Sequence, residues 1–132
     1  MPIAVIKSKR GFTLPEVVVA AALLLIAIVP ILKALTKANL DSLIIERKTR
    51  SLCLAQGKLN QIKAKSIYNF DNNFAETNTN LGNSYLCNVT QTTVSSTLKT
   101  ISVSVGRDNN GNDTLASSEI EVTLQTQIAK RW

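Results

Sequence analysis

The chain has 132 residues, room for one domain and an anchoring segment but not for two cores. It holds no histidine, which removes the commonest general base and rules out Ser–His or Cys–His nucleophiles. The formal charge of +6 is uneven: Lys7, Lys9 and Arg10 supply three positives before Gly11, and residues 33–65 carry eight basic side chains against Asp41 and Glu46. That second cluster reads as a solvated helix face, with anionic lipid headgroups or DNA as the alternative partners.

Residues 12–32 form an apolar run whose only formal charge is Glu16, about as long as the ~20 residues that cross a bilayer. The basic residues ahead of it predict a cytoplasmic N-terminal side and an exported remainder. A secretory signal would end in a small-residue cleavage site, but this run passes straight into an amphipathic pattern. A carboxylate in hydrocarbon costs about 2.5–3.5 kcal/mol on insertion scales, so Glu16 needs either the interface or a partner. Pro15 falls in a first helical turn, where its missing N–H does no harm. Pro30 lies deep in the segment, where proline kinks or locally melts a helix.

Lys7-Ser8-Lys9-Arg10-Gly11-Phe12-Thr13-Leu14-Pro15-Glu16, opening into the apolar run, resembles the class III signal of type IV pilins and type II secretion pseudopilins. The resemblance implies that residues 1–11 are a leader, cut between Gly11 and Phe12 by a membrane prepilin peptidase that also methylates the new Phe12 amino group. It implies that Glu16 docks on the amino terminus of a neighbouring subunit, and that Pro30 marks a loosening of the helix on assembly. The implied partners are that peptidase, other pilin or pseudopilin subunits, the cytoplasmic membrane and an assembly platform. The chain would be a substrate and structural subunit, with no cofactor and no enzymatic activity of its own.

Beyond Pro30, Ile45, Leu52, Ala55, Leu59 and Ile62 recur at helical spacing, predicting an amphipathic second half over residues 33–65. A continuous helix from Phe12 would be roughly 80 Å long. A coiled coil is the other reading of this stripe, although its repeat is short and irregular. Residues 66–83 read as a loop anchored by Tyr68, Phe70 and Phe74. Alternation then predicts strands at Tyr85, Cys87 and Val89, at Ile101, Val103 and Val105, and at Ile120, Val122, Leu124 and Ile128. Polar residues on the other face leave one side of an antiparallel sheet for the helix to cover. The expected class is α+β, pilin-like, with a head over 66–132.

The tip Gly106-Arg107-Asp108-Asn109-Asn110-Gly111-Asn112-Asp113 has two readings. Asp108, Asn110, Asn112 and Asp113 could offer oxygens to calcium, as a late loop does in some pseudopilins. The spacing is not that of an EF-hand, and Asn-Gly in a hairpin turn explains it without a metal. Cys53 and Cys87 could staple helix to sheet in an exported head, or stay as free core thiols. Asn88-Val89-Thr90 and Asn112-Asp113-Thr114 fit the glycosylation sequon, a chance match in a bacterial chain.

Ala55-Gln56-Gly57-Lys58-Leu59-Asn60-Gln61-Ile62-Lys63, followed by Ile101-Ser102-Val103-Ser104-Val105, is similar to the minor pilin V and minor pseudopilin I group. A DNA-binding minor pilin using Lys63, Lys65, Lys99, Arg107, Lys130 or Arg131 is the second hypothesis, though no aromatic stacking platform accompanies those charges. A single-pass membrane protein with an exported domain is the third.

Overall fold

The computed structural model describes residues 11–131. One helix, α1 (Leu14–Tyr68), is followed by β1 (Glu76–Gly82), β2 (Tyr85–Ser95), β3 (Leu98–Arg107) and β4 (Ile120–Ala129). The strands form one antiparallel sheet in the order β1-β2-β3-β4. The chain divides into two compact units, one ending at Ser42 and one beginning at Leu43, with the boundary inside α1.

Among the described residues of the first unit the apolar side chains have no protein cover. Every residue from Gly11 to Ser42 is exposed, and the helix is long and apolar enough to cross a membrane. Helical structure continues through Pro30, so the chain is not melted there.

In the second unit, Ala55, Leu59 and Ile62 of α1 join Phe70, Phe74, Tyr85, Cys87, Val89, Ile101, Val103, Val105 and Ile128 in one core. Register explains the sheet's share. Cys87 pairs with Val105, which pairs with Val122; Val89 pairs with Val103, which pairs with Leu124. Because side chains alternate across a strand, these rows lie on one face, and Ser102, Ser104 and Thr123 lie on the other. The arrangement is α+β and pilin-like: a long N-terminal helix, apolar in its first half, whose second half packs on a four-stranded antiparallel sheet.

The expected stripe is displaced. Ile45 is 65% exposed and Leu52 is exposed, whereas the buried positions are Ser51, Ala55, Leu59, Ile62 and Ser66. At about 100° per residue these five fall within roughly 80° of arc, and Ile45 and Leu52 sit beyond its edge. Ser51 takes the inner place because its hydroxyl donates to the Glu121 carboxylate. Glu121 is available through a bulge: Val122 pairs with Val105 and Ile120 with Gly106, leaving Glu121 without a partner in the ladder.

The expected loop over 66–83 is also corrected. α1 runs on to Tyr68, which is exposed and anchors nothing, and Glu76–Gly82 forms the edge strand β1. Its pairing to β2 is interrupted by two register shifts, and Asn78 has positive φ. Phe70 and Phe74 are buried as expected, and Lys99 fixes their connection. Its ammonium donates to the carbonyls of Phe70 (2.6 Å) and Asn72 (3.0 Å) and lies 4.9 Å from the Phe70 ring centroid.

Candidate functional site

The N-terminal end of α1 sets one acid among exposed apolar side chains. Phe12 and Thr13 precede the helix, and the Val17 amide donates to the Thr13 carbonyl at 3.2 Å, closing the first turn. Pro15 sits in that turn, where a helix lacks amide partners anyway. Glu16 is also there, where the helix dipole favours negative charge. Phe12, Glu16, Val17, Ala20, Ala21 and Leu24 line an open groove. The alanines make it shallow enough for another helix to approach closely. Among the described residues Glu16 has no ion pair or hydrogen bond. A carboxylate beside an apolar groove is costly to place in hydrocarbon unless it meets a cation or the interface.

Lys7, Lys9 and Arg10, expected to belong to a leader, lie outside the described residues, which begin at Gly11. Gly11 and Phe12 themselves are exposed and precede regular structure.

The two cysteines are not brought together. Cys87 is buried in β2, while Cys53 is exposed, and both are free. Cys53 lies about 160° around the helix from the centre of the buried stripe, so the staple expected from it would have to pass through α1. Burial pushes the Cys87 thiol up to about 11, which keeps it protonated at neutral pH.

The tip expected between the strands becomes residues 108–119, connecting β3 to β4. Asp108 is buried and accepts the amides of Gly111 (2.7 Å), Asp113 (2.9 Å) and Asn110 (3.2 Å). Burial alone would raise its pKa, but the backbone donors outweigh that and hold the carboxyl below its ordinary value. Asn112 accepts from Thr114, and Glu119 accepts from Asn109 and Ala116. These oxygens therefore organise the loop itself. Of the two acids in the calcium reading, Asp108 is turned onto backbone amides, and Asn110 accepts the Asn112 amide at 3.0 Å.

Sequence reasoning missed the second anchor of this loop. The Leu115 amide donates to Asn78 of β1 at 2.9 Å, and Leu115 and Leu86 are buried outside the main core cluster. Of the basic residues considered for DNA, Lys99 is removed by its burial, and Lys130 is paired with Asp71 at 2.9 Å. Lys63, Lys65 and Arg131 are exposed, and Arg107 is half-buried.

Residues 6–32 match the prokaryotic N-terminal methylation motif, the sequence signature of prepilins. The match spans the end of the basic N-terminal stretch, the Gly11–Phe12 pair, Glu16 and the apolar half-helix through Leu32. No curated protein and no solved structure matches the chain. The motif and the apolar helix fit a membrane-anchored prepilin of the pilin type, and the motif carries the implication of processing by a prepilin peptidase and assembly with other pilins.

Proposed function

We propose that the chain is a minor pilin or minor pseudopilin, delivered to the cytoplasmic membrane with its N-terminal side inside and its head exported. A prepilin peptidase removes residues 1–11 by cutting between Gly11 and Phe12, and methylates the new amino group. The mature subunit stays in the membrane through residues 12–32 until it is drawn into a type IV pilus or a type II secretion pseudopilus by the assembly platform.

Cleavage places Glu16 fifth in the mature chain. Its carboxylate then pairs with the methylated amino terminus of a neighbour, so that two charges costly in an apolar fibre are satisfied together. The exposed apolar half-helix exchanges lipid contacts for contacts with other subunits, and Pro30 supplies a weak point in its hydrogen-bond ladder. A methylation motif that runs directly into a helix without protein cover is the observation that carries this reading.

Intact mass and N-terminal sequencing of the protein recovered from its own cells test it. The expected product begins at N-methylated Phe12. A chain that retains residues 1–11 would overturn the reading and leave a single-pass membrane protein with an exported domain.

A further inference from the structure

We infer that the head carries a binding cleft for phosphate-class oxyanions, built by Arg47, Arg50 and Arg107 with Asn83 and Tyr85. The cleft is about 310 Å³ and lies wholly in the unit that begins at Leu43. Three separate segments form it: α1, the turn between β1 and β2, and the end of β3.

Its walls are tied together by contacts that do not involve a ligand. The Arg50 guanidinium lies 5.5 Å from the centroid of the Tyr85 ring, and Tyr85 is buried and paired across the ladder with Arg107. Gly82, Asn83 and Ser84 all have positive φ, giving a tight turn, and the Asp108 amide donates to the Ser84 carbonyl at 2.8 Å. A ligand therefore finds the turn and the strand end already fixed, which lowers the ordering cost of binding.

Charge makes the cleft an anion site. Three guanidinium groups against Glu46 leave it with an excess of two positives. The ion pairs among the described residues are Lys58–Glu76 and Lys130–Asp71, so none of the three arginines has a carboxylate within ion-pair distance there. Guanidinium forks match carboxylates and phosphates alike, but a planar carboxylate offers two oxygens and is filled by one fork. Three arginines around one cleft suit a tetrahedral group with more acceptors. Such a group can come from a soluble phosphate ester or from an anionic lipid headgroup.

The test uses the full chain in phosphatidylcholine nanodiscs, titrated with pyrophosphate at constant ionic strength and followed by calorimetry. Saturable binding is expected, weakened at least about tenfold by Arg50→Gln with Arg107→Gln and unchanged by Lys63→Gln with Lys65→Gln. If the double arginine variant loses its far-ultraviolet signal, Arg47→Gln serves in its place. Repeating the titration in phosphatidylglycerol discs separates the sources: suppressed binding identifies the lipid headgroup as occupant, and unchanged binding identifies a soluble anion. No saturable binding in phosphatidylcholine, or binding indifferent to the arginine variants, overturns the inference, as does binding seen only with DNA. Neither result depends on whether the leader is cut.

Discussion

Ile26 and Ile101 are the same side chain with opposite fates: the first is 71% exposed and the second 0%. Ile101 has its row of partners within the head, with Gln91 on one side and Thr126 on the other, and α1 residues share its core. Ile26 has only the other side chains of its own helix, in a unit where every described residue is exposed. The apolar surface of the head is spent on its own fold. The apolar surface of the half-helix is left for a second environment, which under the proposed function is lipid before assembly and other subunits after it.

Ile101→Ala against Ile26→Ala is the sharpest way to break that contrast. Truncating a fully buried isoleucine costs about 2–5 kcal/mol, so Ile101→Ala should lower the denaturant midpoint of the full chain in detergent substantially. Ile26→Ala should leave it within about 0.5 kcal/mol. Equal losses would mean that the half-helix contributes to the head's core after all. Gly106→Ala comes next. A Cβ there would sit 1.9 Å from the Glu119 carbonyl oxygen, a backbone atom with no rotamer to change. An expected loss of about 3 kcal/mol, with loosening of residues 108–119 in hydrogen exchange, follows from overpacking at a bulge. An alanine variant as stable as the parent would show that the bulge can shift.

How far these regions could be read from sequence depends on what each uses to hold itself together. The half-helix was legible because leader, junction, acid and apolar length all lie in one contiguous stretch. Three strands were legible because Val and Ile alternate with Ser and Thr. β1 was not: Glu76-Thr77-Asn78-Thr79-Asn80-Leu81-Gly82 has turn composition and becomes a strand only because β2 offers it an edge. Ser51 was passed over for Leu52 because its fitness for the core lies in a bond to Glu121, seventy residues away in sequence. The cysteines looked pairable until the helix's rotation was fixed. The arginine cleft was invisible for a similar reason, since its three guanidinium groups come from two distant segments and meet only after folding.

Lys99→Met should have an intermediate effect. It keeps the aliphatic stem among Phe70 and Phe74 but strips the donor from two carbonyls, leaving the Phe70 oxygen without its buried partner. An expected loss of about 2 kcal/mol should come with faster exchange confined to the neighbourhood of residues 69–75. A uniform change across the sheet would instead assign Lys99 to the core as a whole.

The smallest effect concerns the Lys58–Glu76 pair, which links α1 to β1 at 2.5 Å. The hydrogen bond from Lys58, more than the opposing burial, holds the Glu76 carboxyl below its ordinary value. A carboxyl depressed in the folded state stabilises fully above its unfolded pKa of about 4.3, and that stabilisation fades as pH falls through the lower folded value. Asp71, held down by Lys130, and Asp108, held down by backbone amides, act in the same direction. Head stability should therefore be level from about pH 7 to 5 and decline below about pH 4. Glu76→Gln should lie lower by about 0.5 kcal/mol at pH 7, a modest figure because Glu76 is partly exposed, and should converge on the parent in acid. Convergence follows because a protonated Glu76 and a glutamine present Lys58 with the same neutral acceptor. Curves that remain parallel to pH 3 would mean that β1 is held by its ladder alone and that the ion pair only decorates the edge.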